Sequence, residues 1–107
     1  MKRNLIILKE IKTNLGKVFG ERLYDVILFG SRTRKKSLTD SDFDVLIILN
    51  DHFEWIEKNK IRDICYDIAL EYEIIIDSKI IALPDIKNKF WGKHPLISDA
   101  IQYGIHA

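Results

Sequence analysis

Gly30-Ser31 and the pair Asp42 and Asp44 are the residues of this 107-residue chain best equipped for chemistry. The two aspartates open "DFDVLIIL" (Asp42 to Leu49), whose apolar run reads as a strand. Strand side chains alternate between faces, so both carboxylates share one face and Phe43 takes the other. Their Cα atoms are expected roughly 6–7 Å apart at about 3.3 Å per residue. Carboxylates at that spacing repel unless a cation lies between them. Hard oxygen donors favour Mg²⁺, with Mn²⁺ as a substitute, and Mg²⁺ takes its remaining ligands from water and phosphate. Two such ions about 3.5–4 Å apart can activate an attacking oxygen and steady the leaving one at phosphorus. A D-x-D can also simply solvate the start of a strand, so the pair does not decide the matter alone.

The residues ahead of it narrow the choice. "LYDVILFG" (Leu23 to Gly30) reads as a buried strand ending in glycine, where a missing side chain permits a sharp turn or a close ligand. Ser31 adds a hydroxyl and a backbone N–H at the start of a short helical turn, a place that attracts phosphate. Gly-Ser alone is an ordinary turn. G-S-x10-D-x-D between two strands is a more specific pattern. The basic residues Arg32, Arg34, Lys35 and Lys36 fit a solvated loop, a triphosphate contact or a nucleic-acid contact. Arg32 is the best triphosphate candidate because a guanidinium can fork onto phosphate oxygens. The absence of interleaved aromatics argues against nucleic acid.

These two strands need elements to hold them. Leu5, Leu8, Ile11, Leu15 and Val18 recur at helical spacing, with Asn4 as N-cap and Gly20 as stop. Asp51 and Glu54 resemble a capping box opening a second helix, whose inward stripe is Phe53, Ile56, Ile61, Ile64, Ile68 and Tyr72. "EIIIDSKIIAL" (Glu73 to Leu83) reads as a third strand, interrupted by Asp77, Ser78 and Lys79. Pro84 and Asp85 suit a short helix, and His94 to Gly104 a last helix. The order αββαβα implies an α/β (α+β) protein: a small mixed β-sheet with helices packed against it.

Composition sets outer limits. The length fits a single domain over residues 1–107. Lys and Arg number 17 against 16 Asp and Glu, which argues against a DNA-coating protein. One cysteine, Cys65, excludes an internal disulfide and a multi-cysteine zinc site, and it reads as a small packed residue. His52, His94 and His106 show no ligand spacing. Trp55 is a candidate for facing a partner, and Phe90 and Trp91 for covering the core. The apolar run near the N-terminus is too short for a signal peptide or a membrane span, so the expectation is a cytoplasmic protein.

"GSRTRKKSLTDSDFDVLII" resembles the signature of the DNA polymerase β-like nucleotidyltransferase superfamily, and more narrowly that of the minimal nucleotidyltransferases (MNT), antitoxin-type proteins paired with HEPN-domain toxins. That signature reads Gly-Ser-x-Ala-x-Gly, then Ser-Asp-x-Asp. Gly30, Ser31, Ser41, Asp42 and Asp44 match it, while Thr33 and Lys35 replace the alanine and second glycine. The resemblance implies a polymerase β-like nucleotidyltransferase fold and transfer of a nucleoside monophosphate, AMP from ATP, with release of pyrophosphate. It implies Mg²⁺ on Asp42 and Asp44, with nucleotide contacts at Gly30, Ser31, Arg32 and Ser41. Asp77 is the candidate for the family's third metal carboxylate; its alternatives are pairing with Lys79 on the same strand face or a place at a solvent edge. The implied acceptor is a hydroxyl of a HEPN-type toxin, in a hetero-oligomer or one built on a homodimer. Two other function classes stand beside this: a non-catalytic antitoxin acting by occlusion, and a small-molecule or nucleic-acid transferase, for which no second domain is evident.

Overall fold

The computed structural model describes residues 2–30, 43–87 and 94–107. Helix α1 (Lys2–Phe19) leads through a 3-10 turn (Gly20–Arg22) into β1 (Leu23–Phe29). Then come β2 (Phe43–Leu49), α2 (Trp55–Tyr72), β3 (Ile76–Ala82), α3 (Leu83–Lys87), α4 (Pro95–Tyr103) and β4 (Ile105–His106). The sheet order is β3-β2-β1-β4, with β1 antiparallel to β2 and β4, and β2 parallel to β3. The expected mixed sheet with flanking helices is therefore present. A parallel neighbour cannot be reached by a tight turn, and α2 is the crossover that makes β3 parallel to β2.

Strand alternation divides the core in two. Val26, Leu28, Phe43, Val45, Ile47 and Leu49 face α1 and α2. Ile27, Leu46, Ile48 and Ile81 face Ile97 and Ala100 of α4, with Leu83 and Ile86 alongside. β2 is buried on both faces, which is why its sequence is apolar without alternation after Asp44. Phe43 is fully buried on the helical side while its neighbour Asp44 points to the other. Phe43→Ala should lower unfolding free energy by about 3–5 kcal/mol, readable as a shifted urea midpoint with an unchanged slope.

Several boundaries differ from expectation, each for a local reason. α1 starts at Lys2, ahead of Asn4, and buries Ile7, Leu8, Ile11, Leu15 and Phe19. Leu5 and Val18 stay exposed on the flanks of that arc. The capping box of α2 is Glu54 with Glu57, three residues beyond Asp51 with Glu54. Asp51 is instead held by Arg22 Nε at 3.0 Å, and Glu57 both accepts from the Glu54 N–H at 3.0 Å and pairs with Arg22. Ile56 is exposed because it lies about 140° round the helix from Ile61, while Cys65 and Ala69 join the buried stripe. Burial pushes the Cys65 thiol up to about 12, so it stays a packed thiol. β3 begins at Ile76, since Glu73 caps α2 in the left-handed conformation (φ 56°) with its N–H on the Ala69 and Leu70 carbonyls. It runs unbroken through Asp77, Ser78 and Lys79, whose polarity suits a sheet edge.

β4 has no counterpart among the expected elements. α4 ends at Tyr103, and the chain then turns back along β1, pairing Ile105 with Leu28 and His106 with Ile27. Gly104 permits this, since a Cβ there would lie 2.5 Å from Ile27 Cγ2 and 2.8 Å from the Leu28 carbonyl. His106 fastens the strand: Nδ1–H donates to Asp25 Oδ2 at 2.5 Å and Nε2–H to the Ile101 carbonyl at 3.0 Å. Both ring nitrogens donate only in the imidazolium, so the Asp25 bond first, and then the Ile101 bond, raise the His106 pKa. The stabilisation is full below the unfolded value of about 6.5 and is lost as pH rises through the raised folded value. The urea midpoint of the wild type should therefore fall across that window more than that of His106→Gln.

Candidate active site

β1 and β2 bring Gly30 and Asp44 together. Asp44 stands opposite Phe29 in the antiparallel register, so its side chain rises beside the residue that follows the end of β1. Gly30 has φ +85°, a conformation that side-chain-bearing residues rarely adopt. A Cβ at Gly30 would fall on Asp44 Oδ2 and lie 3.3 Å from Asp44 Cγ. The glycine thus has a role beyond clearing the way to a ligand: it leaves the space that the Asp44 carboxylate occupies.

Asp77 is level with Asp44 on the adjacent parallel strand. Cross-strand neighbours sit about 4.8 Å apart and share a face, so both carboxylates belong to the α4 side of the sheet. Asp77 also lies 3.8 Å from Lys79 Nζ, and both side chains are about half exposed. The same-face pair with Lys79 named as an alternative for Asp77 is therefore formed, beside the alignment with Asp44. Ser31, Arg32, Thr33, Arg34, Lys35, Lys36, Ser41 and Asp42 lie outside the described residues, as do Phe90 and Trp91. Among the described residues no three metal-ligating side chains gather at one point.

A cavity of about 610 Å³ opens at this place, lined by Phe29, Gly30, Asp44, Leu96, Asp99 and Tyr103, with Ala100 and Gly104 at its α4 wall. Its size is that of a small-molecule site. Asp99 and Tyr103 were not singled out from the sequence. Their spacing of four puts them on one face of α4, but only docking of the Ile97–Ala100 face on the sheet shows that they flank Asp44. The remaining candidates are accounted for without catalysis. His94 caps α4 by accepting from the Leu96 N–H at 3.2 Å, and His106 fastens β4. Trp55 is exposed at the start of α2.

No described helix is long and apolar enough to cross a membrane. A family model of the nucleotidyltransferase domain matches residues 7–102. Over 99 residues the chain is 36% identical to a Methanocaldococcus jannaschii protein named "Putative protein adenylyltransferase MJ0141", covering 92% of this chain and 93% of that one. A second protein of that organism, "Putative protein adenylyltransferase MJ0604", is 29% identical over 89 residues, 81% of this chain and 83% of its own. Two crystal structures of mutant forms of the toxin-antitoxin MntA-HpeT share the fold, each with a TM-score of 0.52. At 15% and 14% identity they cover 92% and 89% of this chain, and 69% and 67% of theirs. The strand-end glycine beside an aspartate, the cavity over them and the match across both strands agree, and the chain belongs to the nucleotidyltransferase domain family.

Proposed function

We propose that this nucleotidyltransferase moves AMP from ATP onto a hydroxyl of a partner protein, as the antitoxin of a HEPN-type toxin. The observation that carries the reading is the Asp44 carboxylate seated over Gly30 at the cavity, level with Asp77 on the next strand. Support for a protein acceptor comes from the name of the Methanocaldococcus relative that this chain matches over nearly its whole length. Support for a toxin partner comes from the MntA-HpeT fold likeness together with the sequence signature.

The donor set suits a hard divalent cation: aligned carboxylates on adjacent strands are oxygen donors whose mutual repulsion a cation relieves. Asp42 and Asp44 would hold Mg²⁺, with Asp77 as the third carboxylate, and Mn²⁺ would serve in its place. Bound there, the metal would neutralise charge on the phosphates and make the attacking hydroxyl more acidic. The chain's own residues do the positioning. Gly30, Ser31 and Ser41 receive the nucleotide, and Arg32 forks onto its phosphate oxygens. Asp99 and Tyr103 offer the nucleoside a carboxylate and an aromatic ring across the cavity. The acceptor hydroxyl gives its proton to a carboxylate, for which Asp77 is the candidate, its oxygen bonds to the α-phosphorus, the bond from that phosphorus to the bridging oxygen of the β-phosphate breaks, and pyrophosphate carries away the electron pair. Proximity and preorganised charge account for the rate.

Calorimetry tests the site. Mg²⁺ and ATP should bind together far more tightly than either alone, and Asp44→Asn should remove that coupling while the circular dichroism spectrum stays that of the wild type. Unchanged coupling in Asp44→Asn would remove Asp44 from the site.

A further inference from the structure

β3 is an edge of the sheet: among the described residues it pairs with β2 alone. The Phe43 N–H bonds to the Ile75 carbonyl at 2.7 Å, so Ile75, Asp77, Lys79 and Ile81 turn their backbone groups toward β2. Ile76, Ser78 and Ile80 turn theirs outward. Beside this edge is a cavity of about 490 Å³ lined by Cys65, Tyr66, Leu70, Ile75, Asp77 and Ser78. Tyr66, Leu70 and Ile75 are 64%, 60% and 65% exposed, which gathers three large apolar side chains where the strand is unpaired.

The charges on the edge choose the occupant. Asp77 and Lys79 alternate on one face, one residue either side of Ser78. If a second copy of β3 pairs antiparallel about a twofold axis at Ser78, Asp77 stands opposite the partner's Lys79 and Lys79 opposite the partner's Asp77. An axis at Asp77 or at Lys79 would instead oppose like charges, which destabilises a strand pair. With the axis at Ser78, the outward N–H and C=O of Ser78 meet their own counterparts in a hydrogen-bonded pair. Asp77 and Lys79 then fall at the non-hydrogen-bonded positions, where side chains approach most closely. The same operation brings the Tyr66–Leu70–Ile75 strip of each copy to the seam. A lysine on an edge ordinarily discourages strand addition; its opposite-signed neighbour two residues away makes this register self-complementary. We infer that β3 is a homodimerisation edge, two copies joining antiparallel about Ser78 to form one continuous eight-stranded sheet. Twofold closure of this kind is the commonest symmetry of soluble oligomers.

Sedimentation velocity of the full chain over a concentration series tests the assignment. The wild type should dimerise, and Asp77→Lys or Lys79→Asp alone should weaken the dimer by about tenfold or more by opposing like charges. The double exchange Asp77→Lys with Lys79→Asp should restore it, an outcome that loss of folding cannot imitate. Ser78→Cys should form a disulfide-linked dimer on mild oxidation, since paired Cα atoms about 5.5 Å apart lie within disulfide range and Cys65 is buried. A wild type that stays monomeric, a dimer indifferent to the single reversals, a folded double exchange that stays monomeric, or an uncrosslinked Ser78→Cys would each overturn it.

Discussion

Gly30→Val is expected to cost the protein its nucleotide site while leaving both halves of the core in place. Two independent effects act at that position. Valine at φ +85° is a strained backbone for a β-branched residue, worth about 1–3 kcal/mol. Its Cβ would also fall on Asp44 Oδ2, so the carboxylate must rotate away from the cavity or the end of β1 must shift. Either response moves a proposed metal ligand. The strain lowers folding stability, whereas the displaced carboxylate and blocked phosphate approach should lower ATP affinity in the presence of Mg²⁺ by about tenfold to a hundredfold, the loss of one charge-assisted contact of about 1.5–3 kcal/mol. Gly30→Ala keeps both effects and should fall in the same direction. Wild-type affinity in Gly30→Val would mean that the strand end is only a turn.

The second large effect belongs to the carboxylates and separates an enzyme from an occluding partner. Asn has nearly the shape of Asp and removes the charge, so Asp42→Asn with Asp44→Asn should preserve the fold and the partner interface. Loss of the charged groups that hold and neutralise the reacting phosphates should slow transfer by about a hundredfold to a thousandfold or more. Co-expressed with the toxin, the wild type should add the mass of one or more AMP groups to a toxin hydroxyl, by family resemblance a tyrosine. The double variant should still bind the toxin yet leave it unmodified and active. If both proteins neutralise the toxin equally and neither adds mass, occlusion replaces transfer as the function.

What could be read from residue order was the part governed by local rules. Leu23–Phe29 and Phe43–Leu49 are strands, as their apolar runs, one followed by a glycine, lead one to expect, and Phe43 is buried as alternation requires. The relation of Asp77 to Asp44 was not legible in that way. It depends on how many residues the α2 crossover consumes before β3 joins the parallel register, and no local pattern records that number. Nor could a two-residue strand announce itself: Ile105 and His106 carry no period, and only the space at Gly104 and the Asp25 partner fix them against β1. The helix boundaries slipped where tertiary partners competed, as when Arg22 drew Asp51 out of a cap and Glu57 took up the reciprocal bond at Glu54. Asp99 and Tyr103 escaped notice because an exposed helix face looks the same whether it borders solvent or a cavity.

Transfer to a protein is the step on which the proposed function rests. The direct measurement incubates the full chain with Mg²⁺, ATP labelled at the α-phosphorus, and the proposed HEPN-type partner protein. Label and pyrophosphate are then followed together. Label is expected on the partner protein with pyrophosphate in equal amount, and neither with the Asp42→Asn, Asp44→Asn variant. Nucleotide bound without label on the partner, or label that the double variant delivers as well as the wild type, would contradict it.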